Sequence, residues 1–403
     1  MKKRLAIISS YNESCGNASY TEVLRREFIK HYNVDILSLQ VDILNSTKKK
    51  FKKLANEHIR NLASQLKNYD YVNIQCELGL YGATPQAIYK RLKILIKASP
   101  NLILTMHRLD IKERLDLLGL RTLLRGGLMK LSIEFRQNRS AAVCKKIIKE
   151  IKKKAKKANA HIIVHTKRDE KLIKKLYNFE CVHNFPLTFF NQMERSRTQK
   201  PNERHNFNDR YSLDSSDIII GLFGFINAYK GHETVLSALK HLPQNYKVMI
   251  FGSQHPMSYE GYTLINKYLK KLVALVETGN LSNRVFFVGN LSDDDFINAL
   301  YCCDYAVLPY LEVNQGGSGI ASIVLESKIK SFYSNNKAFK ELAKYFPNCF
   351  ETFDMGNYLE LAYKIMNYKN DFSVQINKCM EEYNLENNVL FYKNLFERRH
   401  PNG

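Results

Sequence analysis

The chain has 403 residues, of which 45% are hydrophobic and 25% charged, as in a folded protein with room for two domain cores. No run of about 18 uncharged apolar residues occurs, which argues against a membrane-spanning helix. A formal net charge of +22 predicts attraction to nucleic acid, anionic lipid or a phosphate-bearing substrate, unless the lysines only solvate the surface.

The N-terminus and the cysteines indicate a reducing compartment. The apolar run Leu5–Ser9 is too short for a signal-peptide core and predicts a first strand. The eight cysteines show no Cys-x-x-Cys spacing. We therefore expect buried thiols in a reducing cytoplasm, and neither a disulfide framework nor a structural zinc site.

Strand-like and helical segments alternate in two series, which predicts two mainly parallel sheets covered by helices. The first series has strands at Leu5–Ser9, Val34–Leu39, Tyr71–Gln75, Leu102–Thr105 and His161–His165, and helices at Tyr20–His31 and Thr47–Leu66. A polar, aperiodic stretch, Asn191–Ser216, is expected to connect two domains. The second series has strands at Ile218–Phe223, Lys247–Phe251, Val285–Val288 and Tyr305–Leu308.

This order predicts two doubly wound, Rossmann-like α/β domains that face each other across a cleft. Ligands of such sheets bind outside the carboxyl ends of the strands. The loops that follow the strands are therefore the candidate sites.

Three loops of the first domain contain polar or glycine residues at such positions. Gly16 and Asn17 open the first helix, where a plain strand–helix turn is the alternative. Gln75 and Glu77 follow the third strand, and polar groups beside an apolar strand are costly unless they are hydrogen-bonded. His107 follows the fourth strand and is either a cleft residue or a structural histidine.

Two loops of the second domain suit an anion. Gly224 lets the backbone approach a ligand, and Lys230 lies at a helix start, where a diphosphate is favoured. The spacing matches neither a P-loop nor a dinucleotide fingerprint. The strongest segment contains Gly317, Ser318, Gly319 and Ile320, which lead into an apolar helix so that several N–H groups converge. Glu326 follows about two turns later, near the same helix face.

These motifs resemble those of the retaining GT-B glycosyltransferases of family 4, over nearly the whole chain. The matching segments are Gly16–Thr21, Gln75–Gly79, Thr105–His107, Phe223–Phe225 with Lys230-Gly231, and Cys303–Glu326. The sequence departs from the family pattern at three places. Ser318 replaces the first glutamate of Glu-x7-Glu, the arginine that accompanies the phosphate lysine is missing, and Ser327–Ser334 lacks a Gly-x-Pro.

The resemblance implies a GT-B fold with an acceptor-side domain at residues 1–195 and a donor-binding domain at residues 205–385. A last helix, about 387–398, would return to the first domain. Lys230 would hold the donor diphosphate with Gly224 and the N–H groups of residues 317–320, and Glu326 would bind the ribose. His107 would contact the donor sugar, and Glu77, with the Gly16, Asn17 and Gln75 loops, would lie on the acceptor side.

The implied activity is retaining transfer of a hexose or related sugar from a nucleotide diphosphate to a lipid-linked or cell-surface glycan precursor, without a cofactor. Asp293–Asp295 follows Ser292 and is interpreted as a helix cap, so no metal site is predicted. The alternatives are a non-catalytic GT-B-like protein that binds polyanions or lipids, and another nucleotide-sugar enzyme such as an epimerase.

Three segments favour a peripheral position on the anionic inner face of the plasma membrane. They are Lys48–Lys53, Leu117–Arg125 and Lys145–Lys157, in which basic residues alternate with apolar ones. Nucleic acid is the rival partner, but a nucleic-acid site would be expected to interleave aromatic residues with the basic ones. A merely solvated face is the remaining alternative.

Overall fold

The computed structural model describes residues 2–12, 15–110, 128–196, 201–254, 267–312 and 316–398. The chain forms two compact units, which are described separately. Unit 1 comprises Met1–Leu187, Asn314–Gly317 and Leu385–Gly403. Unit 2 comprises Thr188–Val313 and Ser318–Asn384.

Each unit is built on a six-stranded parallel sheet, with strand orders β2-β1-β3-β4-β5-β6 and β12-β11-β10-β7-β8-β9. The nine predicted strands are confirmed to within a residue or two, whereas β6, β11 and β12 were not predicted. The strands are β1 Arg4–Ser9, β2 Asn33–Ser38, β3 Tyr71–Cys76, β4 Asn101–Met106, β5 Ala160–Val164, β6 Val182–Asn184, β7 Ile218–Phe223, β8 Tyr246–Phe251, β9 Val285–Gly289, β10 Tyr305–Leu308, β11 Ser331–Ser334 and β12 Glu351–Phe353.

Helices connect successive strands in both units. Among the described residues they are α1 Gly16–Phe28, α2 Val41–Asn45, α3 Lys49–Gln65, α4 Pro85–Ala98, α5 Leu128–Lys154, α6 Lys167–Tyr177, α7 Gln192–Arg195, α8 Pro201–Tyr211, α9 His232–Leu239, α10 Lys267–Thr278, α11 Asp293–Cys302, α12 Gly319–Glu326, α13 Lys337–Leu342, α14 Tyr358–Met366, α15 Ser373–Glu382 and α16 Leu385–Glu397.

The last helix, α16, belongs to unit 1, where it packs on α1 and β4. The hydroxyl groups of Tyr392 and Thr105 are hydrogen-bonded at 2.7 Å, and the Asn388 amide donates to the Tyr20 hydroxyl at 3.0 Å. Both contacts are buried, so they pair the Tyr392 hydroxyl and the Asn388 NH2 group that α16 brings into the core.

The polar stretch predicted as a connection contains two helices, α7 and α8. A capping box at Asn191 and Glu194 starts α7. In α8, the Arg204 guanidinium donates to the Asp217 carbonyl at 2.9 Å and to the Asp304 carboxylate at 3.1 Å. α8 also packs Phe207 and Tyr211 against the core of unit 2, but two aromatic residues are too few to give the stretch an apolar period.

Two of the three predicted membrane segments lie in the described residues, on helices of one layer in which α4 contacts both α3 and α5. Lys49, Lys50, Lys52 and Lys53 are exposed at the start of α3. On α5 the predicted apolar face is wrong as a membrane surface. Its residues Cys144, Ile147, Ile148 and Ile151 are fully buried in the core of unit 1, whereas Lys145, Lys146, Lys149 and Lys153 are exposed. The third segment, Leu117–Arg125, lies outside the described residues.

Candidate functional site

The predicted site residues fall into two groups, and all except Glu326, the last residue of α12, lie at or near the carboxyl end of a strand or the start of a helix. Unit 1 contains Gly16, Asn17, Gln75, Glu77, His107 and Gly317. Unit 2 contains Gly224, Lys230, Ser318, Gly319, Ile320 and Glu326.

In unit 1, neighbouring strands β3 and β4 are joined by side-chain hydrogen bonds. The Asn73 amide donates to the Ile103 carbonyl at 3.1 Å and to the Thr105 hydroxyl at 3.0 Å. The Gln75 amide donates to the Asn73 carboxamide oxygen, and the Gln75 oxygen lies 2.6 Å from His107 Nε2. Asn73, Gln75 and Thr105 are fully buried, so these bonds remove the penalty that buried polar groups would otherwise impose.

His107 also contacts a histidine that the sequence analysis did not identify as a site residue. His165, directly after β5, lies with its Nε2 atom 3.2 Å from His107 Nδ1, and its Nδ1 atom donates to the Phe185 carbonyl at 3.1 Å. The Tyr20 ring stands perpendicular to both imidazoles. Burial lowers the pKa of His107 well below its usual range and that of His165 to about 4. Its position at the end of the next strand was the available signal for His165.

The other predicted residues of unit 1 lie near strand ends. Gly16 is exposed at the start of α1, and a Cβ atom placed there would meet nothing within 4 Å. The Asn17 carbonyl accepts from the Thr21 hydroxyl at 2.7 Å. Burial raises the pKa of Glu77, while the charge of Arg108 acts in the opposite direction.

In unit 2, Lys230 is buried in the turn that precedes α9. It is 6% exposed, its ammonium donates to the Tyr310 hydroxyl, and Nζ lies 3.9 Å from the centroid of the Tyr310 ring. Within the described part of the chain no carboxylate contacts it. Burial lowers the pKa of Lys230 to about 7.

Two glycines hold this lysine close to the loop that follows β10. Gly231 has φ +68°, and a Cβ atom there would lie 2.1 Å from the Pro309 carbonyl oxygen. Gly224 has φ +96°, and its Cβ position would lie 3.4 Å from Lys230 Nζ and 3.3 Å from Ile320 Cγ1. Lys230 and the start of α12 therefore border the same small space.

The start of α12 presents backbone donors to this space. The Ser318 hydroxyl caps the helix by accepting from the Ala321 N–H at 3.3 Å. In the residues that the structure describes, the N–H groups of Gly319 and Ile320 have no acceptor. Two free N–H groups at a helix start, next to a lysine that no carboxylate contacts, are groups that suit an anion.

Glu326, at the other end of α12, is fully buried and holds the chain that enters unit 2. Its carboxylate accepts from the N–H groups of Phe189, at 3.0 Å, and Phe190. Burial raises the pKa of Glu326 to about 8. Both carboxylate oxygens of Glu326 are thus bonded to backbone N–H groups of unit 2. Ribose binding by Glu326 stays a prediction.

The predicted helix cap at the three aspartates is confirmed. The Ser292 hydroxyl caps α11 by accepting from the Asp295 N–H at 3.2 Å. Over the described ranges, no group of three or more His, Cys, Asp or Glu side chains is arranged to hold a metal ion.

Sequence comparison finds a family match within the chain. Residues 203–328 match the family Glycosyl transferases group 1. The matched segment runs from α8 to just beyond α12 and includes Lys230, residues 317–320 and Glu326. No curated protein sequence matches the chain.

Solved structures extend the likeness to nearly the whole chain. HepE (Alr3699) of Anabaena in complex with UDP is 13% identical, with a TM-score of 0.65, over 98% of this chain and 99% of that one. A glycosyltransferase from Rickettsia africae is 14% identical, with a TM-score of 0.67 over 99% and 100%. WaaG, a glycosyltransferase involved in lipopolysaccharide biosynthesis, is 12% identical, with a TM-score of 0.63 over 98% and 100%. The predicted GT-B fold of two Rossmann-like domains is confirmed.

The close approach of Gly231 to Pro309 generates a first prediction. Gly231→Ala should lower the free energy of unfolding by at least about 3 kcal/mol, because a Cβ atom would overlap a backbone carbonyl. Gly356 is the matched control, since it has φ +76° but open space around it. Gly356→Ala should cost only about 1–2 kcal/mol for the left-handed conformation. Denaturant unfolding measures both, and equal losses would contradict the predicted overlap.

Glu326 generates a second prediction, on pH dependence. An unfolded glutamate has a pKa near 4.3. Between that pH and about 8 the folded protein therefore retains a proton that the unfolded chain has released. Stability from this group is thus greatest at low pH and declines as pH rises through this window. The difference in unfolding free energy between wild type and Glu326→Gln should shrink from pH 5 to pH 8. The exposed control Glu277→Gln should show no such trend, and a flat difference for Glu326→Gln would refute the assignment.

Proposed function

We propose that this protein transfers a hexose or related sugar from a nucleotide diphosphate to a lipid-linked or cell-surface glycan precursor, with retention of configuration. The observation that carries the proposal is the buried ammonium of Lys230. It contacts no carboxylate among the described residues and borders the same space as two free helix N–H groups. The comparison with HepE, whose structure contains UDP, supports a nucleotide ligand.

The chemistry follows from the charge that develops during transfer. When the bond between the sugar and the diphosphate breaks, negative charge grows on the departing diphosphate. Lys230 and the N–H groups of Gly319 and Ile320 are positioned in advance to stabilise this charge, as preorganised dipoles do in other enzymes. We assign to these groups the role that a divalent metal has in other glycosyltransferases. The family resemblance supports retention, contact of His107 with the donor sugar, ribose binding by Glu326, and acceptor-side roles for Glu77 and the Gly16–Asn17 loop.

A nucleotide-sugar panel tests the function. Purified protein is heated with UDP-, GDP-, ADP- and dTDP-sugars, and the ligands that raise the thermal midpoint are then tested for transfer by product analysis. A shift with one nucleotide class and transfer of its sugar support the proposal. No shift with any donor would instead favour a non-catalytic binding protein, and conversion of the donor without transfer would favour an epimerase.

Lys230 should dominate the affinity for the donor. Lys230→Met keeps the apolar packing but removes a charge-assisted contact worth roughly 1.5–3 kcal/mol, so the dissociation constant should rise about 10- to 100-fold. Lys270→Met, a change at an exposed lysine, is the control. Because the pKa of Lys230 is about 7, wild-type affinity should weaken as pH rises above 7, whereas that of Lys230→Met should not. Calorimetry measures both effects, and unchanged affinity in Lys230→Met would disprove the assignment.

We also propose that unit 1 binds the anionic inner face of the plasma membrane, where a lipid-linked acceptor would lie. No helix among the described residues is long and apolar enough to cross a bilayer. Binding would rest on the exposed lysines of α3 and α5, each contributing roughly 1 kcal/mol near an anionic surface.

Sedimentation with vesicles tests this surface. Wild type should bind phosphatidylglycerol-containing vesicles and not phosphatidylcholine vesicles. Replacing Lys49, Lys50, Lys52 and Lys53 by alanine should weaken binding at least tenfold, and salt should weaken it further. Replacement of an equal number of exposed unit 2 lysines is the control. Equal binding to both vesicle types, or tight DNA binding without lipid binding, would overturn the membrane proposal.

A further inference from the structure

A series of hydrogen bonds in unit 1 runs from Asn73 through Gln75 to His107. The backbone carbonyl of Ile103 at its start determines which atom donates in each bond. A carbonyl can only accept, so the Asn73 group that faces the Ile103 carbonyl is its amide nitrogen. The Asn73 oxygen therefore accepts from the Gln75 amide, and the Gln75 oxygen must face His107 Nε2. It follows that His107 carries a proton on Nε2.

The other end of the series is also fixed. The Phe185 carbonyl faces His165 Nδ1, so His165 carries its proton on that atom. If both imidazoles are neutral, His107 Nδ1 and His165 Nε2 each present a lone pair to the other at 3.2 Å. This distance leaves no room for a bridging water. The pair therefore lacks one proton, and the only vacant position for it lies between these two nitrogens.

A second histidine pair in unit 1 shows that this conflict is not a general result of pairing histidines. The Asn159 amide donates to the carbonyls of Leu395 and Phe396, so its oxygen accepts from His161 Nε2 at 2.7 Å. His183 Nε2 then donates to His161 Nδ1 at 3.0 Å. Across the described residues no acceptor contacts His183 Nδ1, so both rings are satisfied while neutral.

Burial opposes a proton on the His107–His165 pair in the free protein, since it lowers the pKa of both imidazoles. Among the described residues, the titratable side chains around the pair are Tyr20 on α1, Tyr392 on α16 through Thr105, and Asp169 on α6, which is paired with Arg168. None of these three is a hydrogen-bond partner of either imidazole. We therefore assign the additional negative charge to a ligand.

Two glycines of unit 1, Gly316 and Gly317, lie close to the pair. A Cβ atom on Gly316 would lie 3.2 Å from the His107 carbonyl oxygen and 3.2 Å from the Asp169 carboxylate, and one on Gly317 would lie 3.7 Å from His165 Cβ. These two glycines immediately precede Ser318, Gly319 and Ile320. Under the proposed function His107 contacts the donor sugar, so a bound donor would bring its negative charge to this pair.

We propose that His165 is a positioning residue for His107, and that the two imidazoles take up a single shared proton when a nucleotide diphosphate binds. This inference rests on the proposed function. The proton comes from solution and occupies the position between His107 Nδ1 and His165 Nε2, and no covalent bond is made or broken. His107 then carries protons on both nitrogens, each held by an acceptor, and becomes a cation.

Calorimetry with UDP-glucose in buffers of different ionisation enthalpy measures this uptake. At about pH 6 Lys230 is already largely charged, and UDP-glucose has no group that titrates nearby, so neither masks the signal. Wild type should take up about one proton when UDP-glucose binds. His165→Phe should bind with the uptake abolished, whereas the control His183→Phe should retain the wild-type value. Binding with equal uptake in wild type and His165→Phe would overturn the inference.

A measurement on the ligand-free wild type tests the inference separately from the proposed function. It also remains possible if the His165→Phe variant does not fold. Nitrogen NMR of wild-type protein labelled with ¹⁵N-histidine reports which ring nitrogen carries the proton. His107 should be protonated on Nε2 and His165 on Nδ1, and lowering the pH should add one proton to the pair before a second. The opposite tautomer of either ring would overturn the inference even if UDP-glucose binds. Failure of every donor to bind, with these tautomers present, would refute the proposed function and the ligand-driven uptake, leaving only the positioning by His165.

Discussion

An ammonium group removed from water must either lose its proton or meet an anion, and Lys230 is in this position. Its burial depends on the contact of Gly231 with the Pro309 carbonyl, which brings the turn after β7 against the loop after β10. Tyr310 then offers a ring face and a hydroxyl, both of which a cation can use. These groups reduce the free-energy cost of burying the charge without cancelling it. A negative ligand next to Lys230 would therefore be stabilised.

Unit 1 solves the same physical problem in another way. One of its buried networks consists of neutral amides, hydroxyls and imidazoles, which are hydrogen-bonded in a continuous sequence from β3, β4 and the end of β5 to α16. Such a network orients side chains without a charge of its own. A mismatch in this network lies between His107 and His165, next to Gly316 and Gly317. The network therefore contains a proton position whose occupancy can respond to a ligand.

Much of the fold was readable from the sequence because parallel strands form strong β-branched runs separated by helical periods. β6 and β12 were missed because they have only three residues, and β11 was missed because two of its four residues are serines. The helix α8 was missed because it contacts unit 2 through Arg204 and two aromatic residues, Phe207 and Tyr211, which are too few to form a recognisable apolar stripe. The apolar stripe on α5 was recognised, but the sequence alone does not show which of two apolar environments, core or membrane, it faces.

The candidate site was predicted unevenly for a similar reason. Gly224, Lys230 and the glycines before α12 were identified because helix starts and glycine turns are local features. His165 and the bonds of Glu326 to Phe189 and Phe190 depend on residues that are distant in sequence. No local pattern reveals that two histidines 58 positions apart share a contact, or that a glutamate reaches backbone 137 positions away.

The position of α16 in unit 1 has a consequence for biosynthesis. Residues 1–187 leave the ribosome first, but the surface of α1 and β4 that α16 covers stays open until residue 397 has been made. Residues 188–397, more than half of the 403 residues, are synthesised during this interval, at a rate of about 5–20 residues per second. Unit 2 is complete before unit 1, although its sequence begins later. The unit that is synthesised first is therefore completed last. Truncation within α16 would expose the surface of α1 and β4 and destabilise unit 1.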